Sequence, residues 1–135
     1  MTGQQVDATM TLETAPPLVR VVLVDDDPAM RVLLRIVLET EDRFVVVGEA
    51  GDGSAGWRLI LESAPDLAVV DLHMPELTGL DILQRVRASG SLTRIVIHSG
   101  DPEPLGPPHP DAFVLKDGNM DALVAVLTEL ATPRG

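Results

Sequence analysis

Four charged residues of this chain could take part in chemistry together. Asp25 and Asp26, Asp71, and Lys116, which is the only lysine, each come directly after or at the end of a short aliphatic run. Such runs are typical of buried strands in a parallel sheet, and the carboxyl ends of those strands form one edge where ligands bind. We therefore expect three acids and one lysine to converge on a site that suits a divalent metal and a phosphoryl group.

The crowded carboxylates of this predicted site need a cation. Carboxylates packed together repel one another, and some take up protons unless a cation lies between them. Mg²⁺ (or Mn²⁺ in its place) prefers oxygen ligands, few protein carboxylates, retained waters and a phosphate. Beside such an ion, Asp71 could act as a nucleophile on phosphorus and form an aspartyl phosphate. Lys116 would supply the ammonium that neutralises the transition state.

Ser99 also ends a predicted strand, and two interpretations of it stay open. It is either a turn residue or, beside a phosphorylated Asp71, a hydroxyl that hydrogen-bonds a phosphoryl oxygen. Gly100 would then leave room for that group to enter.

Composition limits the classes of protein that this chain can belong to. Its 135 residues suit one domain, and 45% hydrophobic residues suffice for a core. A net charge of −11 disfavours nucleic acid and anionic lipid as partners. The absence of cysteine excludes disulfides and thiolate chemistry. Without a signal-peptide pattern or an apolar run of about 20 residues, we expect a soluble cytoplasmic protein.

Aliphatic patterning predicts five strands and four helices. The predicted strands are 19–24, 44–49, 67–71, 94–98 and 112–115, and the helices are 28–40, 54–63, 79–88 and a last one capped by Asp117 or Asn119. The strands are near-continuous aliphatic runs, which predicts a parallel sheet buried on both faces in a doubly wound α/β fold. We expect a flexible lead over 1–18, one domain over 19–131 and a tail over 132–135.

The first helix has a clear start and a clear apolar pattern. Asp27 is expected to cap its N-terminus, with Pro28 at the first helical position. Apolar residues at spacings of three and four predict the buried face, which is Met30, Leu33, Leu34, Val37 and Leu38.

The segment between the fourth and fifth strands is unusually rich in proline. Five prolines fall within 102–110, which forbids a regular helix there. We expect an extended crossover with polyproline character instead.

Three segments of the chain resemble the receiver domain of two-component response regulators. They are 22–28 with its acidic residues, 66–79 with Asp71 followed by Met-Pro and Gly, and 113–118 with Lys116. The resemblance covers roughly 19–131 and implies a flavodoxin-like receiver fold. The chain departs from the family's pattern where the proline-rich segment stands in place of the fourth helix. We therefore do not expect the family's usual output surface.

The resemblance also implies roles for the site residues. Asp71 would accept a phosphoryl group from a phosphohistidine on a histidine kinase or phosphotransfer protein. Asp26 and Asp71 would hold Mg²⁺ with the backbone carbonyl of His73, and Asp25 would help through water.

A second group of residues would respond to phosphorylation. Ser99, next to Gly100, would move toward the phosphate, Lys116 would pair with it, and Phe113 would be the aromatic that rotates. The expected function is that of a single-domain response regulator that signals by protein contact. We do not expect an enzyme, although the chain would catalyse its own phosphotransfer and dephosphorylation. Asp117 stands where many receivers carry a proline, so no cis bond is expected after Lys116.

Two other functions remain as alternatives. One is a pseudo-receiver that binds its partners without phosphorylation, which the loss of the fourth helix favours. The other is a Mg²⁺-dependent phosphohydrolase, which His73 disfavours because an acid often stands at that position. We expect no DNA-binding domain after the last helix, and the downstream partner and a dimer stay open. His73 is either a solvent-facing loop residue or a group that tunes phosphate lifetime, and His98 is expected to pack at a strand end.

Overall fold

The structure is a computed structural model that describes residues 17–131. Over this range, strands and helices alternate until the fourth strand. The strands are β1 (Val19–Val24), β2 (Phe44–Ala50), β3 (Leu67–Asp71), β4 (Arg94–Ser99) and β5 (Ala112–Leu115), and the helices are α1 (Pro28–Thr40), α2 (Gly53–Ser63), α3 (Gly79–Ala88) and α4 (Met120–Ala131). The predicted α/β class and the number of elements are therefore confirmed.

Most element boundaries agree with the predicted ones, and the differences have local causes. β2 and β4 each run one residue further than predicted, to Ala50 and Ser99. α2 begins one residue earlier, at Gly53, because the Asp52 side chain accepts a hydrogen bond from the Ala55 backbone N–H and caps the helix. Residues 1–16 of the predicted lead and 132–135 of the predicted tail lie outside the described residues.

The five strands form one parallel sheet in the order β2-β1-β3-β4-β5. Side chains alternate between the two faces of each strand, so the sheet has two cores. On one face Leu23 and Val69 pack with Leu34 of α1 and Leu123 of α4. The cluster on the other face includes Val70, Ile60 of α2 and Ile82 of α3. Burial on both faces explains the continuous aliphatic runs.

The predicted buried face of α1 is wrong at one position. Leu34 and Leu38 are fully buried, but Leu33 is 41% exposed, and Val32 and Ile36 are exposed as well. Successive helical residues differ by about 100° around the axis, so the buried stripe centred on Leu34 and Leu38 leaves Leu33 at its margin. The predicted N-cap holds, since the Asp27 side chain accepts a hydrogen bond from Ala29 N–H at 3.0 Å.

Between β4 and β5 the chain crosses over without a helix. Residues 100–111 are irregular, and most of them are exposed. Arg87 of α3 holds the end of this segment, because its Nη2 donates to the His109 carbonyl oxygen at 3.2 Å and lies 3.4 Å from Asp111 Oδ2. Asp111 Oδ2 also accepts a hydrogen bond from the Ile95 N–H at 2.7 Å.

Within residues 17–131, none of the helices is both long enough and apolar enough to span a bilayer.

Candidate functional site

Two buried aspartates lie side by side at the carboxyl edge of the sheet. Asp25 follows the last residue of β1, and Asp71 is the last residue of β3, the strand that pairs with β1. Both acids are buried, whereas Asp26 is exposed. β1 and β3 are neighbours in the sheet, so their carboxyl ends bring Asp25 and Asp71 together, as expected.

Lys116 reaches the two buried aspartates from β5. Its Nζ lies 2.9 Å from Asp25 Oδ2 and 3.4 Å from Asp71 Oδ1, and its side chain is only 19% exposed. β4 separates β5 from β3, so only a long side chain could bridge that gap. The Lys116 backbone N–H donates to the Ser99 carbonyl oxygen at 2.7 Å, which fixes the start of the side chain at the edge of the sheet.

The pKa values of Asp71 and Lys116 are both raised. Burial raises the pKa of Asp71 above its usual 3.8, and the nearby Asp25 raises it further, while Lys116 and a backbone hydrogen bond from His73 act in the opposite direction. Burial alone would lower the pKa of Lys116, but hydrogen bonds and charge attraction from Asp25 and Asp71 outweigh burial and raise it. Lys116 is therefore a fixed ammonium at neutral pH, and one cation faces two buried carboxylates.

The acids also form a set that suits a hard metal ion. Asp25, Asp26 and Asp71 each offer one carboxylate oxygen, and these oxygens lie within 4.8 Å of one another. An all-oxygen donor set at the mouth of a site, with an uncompensated negative charge, fits Mg²⁺ or Mn²⁺ better than a metal that prefers nitrogen or sulfur. We call Asp25, Asp26, Asp71 and Lys116 the carboxylate site.

Ser99 and Gly100 lie next to the carboxylate site. Ser99 is fully buried at the end of β4, and its Oγ accepts a hydrogen bond from the Asp101 N–H at 3.0 Å. The hydroxyl thus holds the first turn of the loop after β4. Gly100 is exposed, and a Cβ added to it would meet nothing within 4 Å, so the space beside Ser99 is open.

Phe113 packs into one of the two cores of the sheet. It lies on β5, pairs in register with Ile97 and packs against the core that includes Ile60 and Ile82, on the opposite face from Val114. Because side chains alternate along a strand, Phe113 and Val114 point to opposite faces of the sheet.

Two contacts of the site were not predicted. His73 Nε2 lies 2.8 Å from Asp101 Oδ2, so the loop after β3 contacts the loop after β4. Arg31 Nη1 donates to the Asp25 carbonyl oxygen at 2.6 Å, and its Nε lies 3.4 Å from Glu49. Residue type alone offers no signal for these contacts, since many acids in this chain could have paired with His73 or Arg31 and the Asp25 acceptor is a backbone carbonyl.

His98 is buried at the end of β4, as predicted, and it is polar. Its Nδ1 has no hydrogen-bond partner among the described residues. Burial lowers the pKa of His98 to about 4, and the positive charge of Lys116 acts in the same direction, so the ring is neutral at pH 7.

Comparison with known proteins gives one family. Residues 21–106 match the response regulator receiver domain. The nitrate/nitrite response regulator protein homolog of Haemophilus influenzae is 34% identical over 117 residues, which is 83% of this chain and 56% of that protein. The chain therefore spans little more than half the length of this relative.

Solved structures agree with this relationship. The signal receiver domain of a response regulator designated NarL from Mycobacterium tuberculosis superposes with a TM-score of 0.80 at 33% identity, over 88% of this chain and all of that one. A LuxR-family two-component response regulator from Aurantimonas sp. SI85-9A1 has a TM-score of 0.72 at 28% identity, over 87% of this chain and 88% of that one.

The fold, the carboxylate site and these matches define the class of protein. The chain belongs to the response regulator receiver domain family of two-component signalling. The matched region ends at residue 106, before β5, so Phe113 and Lys116 lie outside it.

Proposed function

We propose that Asp71 accepts a phosphoryl group from a phosphohistidine of a histidine kinase or phosphotransfer protein. The observation that carries this proposal is the position of Lys116 Nζ, which lies within 3.4 Å of both Asp71 and Asp25 at the mouth of a buried acidic cluster. A fixed ammonium in that place can stabilise the charge that develops on transferred phosphoryl oxygens.

Asp71 is a better acceptor than its two neighbours. Asp25 is the most buried of the three, accepts a hydrogen bond from the Asp27 N–H at 2.9 Å and lies closest to Lys116, so its oxygens are already engaged. Asp26 is exposed and gains no activation from burial. A carboxylate oxygen of Asp71 would attack phosphorus, while the bond from phosphorus to the imidazole nitrogen breaks and the imidazole leaves with the electron pair.

Asp25, Asp26 and Asp71 would hold a divalent ion, Mg²⁺ or Mn²⁺, together with the backbone carbonyl of His73. The bound ion would supply charge neutralisation for the phosphoryl oxygens. Lys116 would pair with the phosphoryl group after transfer, and Ser99 would exchange its hydrogen bond with Asp101 for one to a phosphoryl oxygen next to the open space at Gly100.

The aspartyl phosphate would signal by changing contacts with a protein partner. A phosphoryl group adds about −1.5 to −2 charges, and the groups that bind it bias the loops that carry them. The reactions on Asp71 are transfer and hydrolysis of its own phosphoryl group, so the chain would not turn over a separate small substrate. We place this function in the cytoplasm, where the proposed phosphodonors act.

One observation favours a second candidate, an interaction module that works without phosphorylation. Residues 100–111 contain no helix, and Phe113 packs with the core cluster that includes Ile60 and Ile82. An intact carboxylate site argues for the first candidate, because a module that is never phosphorylated has no use for an ammonium between two buried acids.

The deciding experiment is intact-protein mass spectrometry after incubation with acetyl phosphate and Mg²⁺. Wild type should gain one phosphoryl group, and Asp71→Asn should gain none. Asp42→Asn is the matched control. It changes an exposed acid in the turn between α1 and β2 and should behave as wild type. An adduct on Asp71→Asn, or none on wild type even with a purified phosphorylated kinase as donor, would refute the assignment.

A further inference from the structure

The main chain of Asp25 is held by an arginine on α1. Arg31 Nη1 donates to the Asp25 carbonyl oxygen at 2.6 Å, a short distance that is typical of a hydrogen bond with a charged donor. A Cβ added to Gly51 would lie 3.2 Å from the same Nη1, so the guanidinium packs closely against the loop after β2. Arg31 is therefore held against the backbone next to the carboxylate site.

Arg31 is itself oriented by an acid at the end of β2. Its Nε lies 3.4 Å from Glu49 Oε1, and Arg35 Nε lies 2.6 Å from Glu49 Oε2. The side chains of Arg31 and Glu49 are only 22% and 25% exposed. Because both side chains are largely shielded from solvent, salt and water screen this pair less than a surface ion pair. The guanidinium is thus already in the conformation that reaches Asp25.

The hydrogen bond from Arg31 matters most for the next residue, Asp26. The Asp25 side chain has other contacts, since its Oδ1 accepts from the Asp27 N–H at 2.9 Å and its Oδ2 lies 2.9 Å from Lys116 Nζ. Asp26 is exposed, and its carboxylate has no hydrogen bond or ion pair in the described part of the chain. The direction of the Asp26 side chain therefore depends on the backbone that carries it.

The peptide unit between Asp25 and Asp26 transmits the effect of Arg31. A peptide unit is planar, so a carbonyl oxygen that is held in place also fixes the direction of the following N–Cα bond. In this arrangement Asp26 offers an oxygen within 4.8 Å of oxygens of Asp25 and Asp71. A rotation of the peptide would turn Asp26 out of the cluster, and a divalent ion would lose one of its carboxylates.

We propose that Arg31 is a positioning residue for the divalent ion of the carboxylate site. It holds the peptide between Asp25 and Asp26 so that Asp26 faces the ion, and Glu49 holds Arg31 in turn. The inference rests on the proposed function, in which three aspartates bind the metal. Removal of a side chain that orients metal ligands without touching the metal typically weakens metal binding by about 10-fold to 100-fold.

The sign of the effect separates positioning from simple charge. Arg31 is a cation, so if only its charge mattered, Arg31→Met would repel Mg²⁺ less and bind it more tightly. Loss of positioning predicts the opposite result, which is binding weakened by about tenfold. The weakening should persist in NaCl at about 0.5 M, where long-range charge effects are screened.

Isothermal titration calorimetry of the full chain with MgCl₂, without a phosphodonor, measures this affinity. Arg85→Met removes an exposed cation from α3 and is the charge control, which should bind Mg²⁺ like wild type. Asp26→Asn tests the route of the effect. Arg31→Met should add little in the Asp26→Asn background, because residues that act through one another are not additive.

Glu49→Gln is a second perturbation, which keeps the test decisive if circular dichroism shows that Arg31→Met does not fold. It weakens the hold on the guanidinium and should lower Mg²⁺ affinity more than Glu62→Gln, which makes the same charge change at an exposed site on α2. Equal effects of these two variants would count against positioning.

The outcomes separate this inference from the proposed function. The inference alone is overturned if wild type binds Mg²⁺ and Arg31→Met binds it equally well or more tightly, or if Arg31→Met weakens binding as much in the Asp26→Asn background. A wild-type chain that binds no Mg²⁺ would overturn the metal site and the role of Arg31 together. Mg²⁺ binding that depends on Arg31, without any phosphoryl adduct on Asp71, would support the inference and refute phosphorylation only.

Discussion

At the scale of single residues, the carboxylate site holds more negative charge than its own cation can neutralise. Lys116 lies between Asp25 and Asp71, and Asp26 adds a third carboxylate at the exposed side. The pKa of Asp71 is raised, because burial and the charge of Asp25 together outweigh the attraction of Lys116. The site is therefore arranged to gain from a further cation and from a ligand that engages Lys116.

Without divalent cations, Asp71→Asn should raise the urea midpoint at pH 7. The pKa of Asp71 in the folded chain is raised above 3.8, so its contribution to stability is fully present below that value and is lost as pH rises through the folded pKa. The excess stability of Asp71→Asn over wild type should shrink as pH falls toward 3.8. Urea unfolding followed by Trp57 fluorescence measures this difference, with Asp42→Asn as the control for the loss of one exposed acid. An excess stability of Asp71→Asn that grows as pH falls would contradict a raised pKa of Asp71 in the folded chain.

Lys116→Met should slow phosphorylation of Asp71 under the proposed function. Removing a preorganised charge from a site of this kind costs about 100-fold to 1,000-fold in rate. The rate is measured from the mass increase with acetyl phosphate and Mg²⁺. Arg85→Met removes an exposed cation from α3 and should leave the rate unchanged. A rate for Lys116→Met within a few-fold of wild type would mean that another group neutralises the phosphoryl oxygens.

At the scale of elements, α3 begins directly against the strand that carries Asp71. The Gly79 N–H donates to the Leu72 carbonyl oxygen at 3.0 Å, and a Cβ on Gly79 would lie 2.5 Å from the Asp71 carbonyl oxygen. The Thr78 side chain and Asp81 cap the helix reciprocally, which fixes the direction in which it leaves the sheet. The glycine after the Met-Pro loop thus sets how close α3 can approach β3.

Gly79→Ala should destabilise the fold by about 2 kcal/mol, because the added methyl group overlaps backbone atoms that cannot move aside cheaply. Gly100→Ala is the control, since a Cβ there meets nothing within 4 Å. Urea unfolding of the two variants provides the comparison. Equal stabilities would show that β3 and α3 separate more easily than their contacts indicate.

At the scale of the whole molecule, a net charge of −11 acts on stability and on the choice of partner. Self-repulsion destabilises the compact state, and salt screens it, with a Debye length of about 30 Å at 0.01 M and about 3 Å at 1 M. The same field repels nucleic acid and favours basic partner surfaces. It also means that an effect of Mg²⁺ must be separated from an effect of ionic strength.

Mg²⁺ should stabilise the chain more than NaCl at equal ionic strength. A ligand that binds only the folded state adds about 1.4 kcal/mol when its concentration is ten times its dissociation constant. The urea midpoint should therefore rise in Mg²⁺ beyond the value in matched NaCl, and this excess should disappear in Asp71→Asn. Equal midpoints in both salts would argue against a specific metal site at Asp25, Asp26 and Asp71.

The sequence by itself determined the α/β class. Continuous aliphatic runs predict strands that are buried on both faces of a sheet, and the amphipathic helices supply the apolar faces that cover them. It also determined that Asp25, Asp71 and Lys116 share one edge, since each stands at a strand end. Only the tertiary structure decided which groups touch. The order of strands set β1 beside β3, and side-chain reach set Lys116 nearer to Asp25 than to Asp71. The burial of Leu34 rather than Leu33 on α1 and the contact of His73 with Asp101 depend on packing between distant segments, which local patterns do not encode.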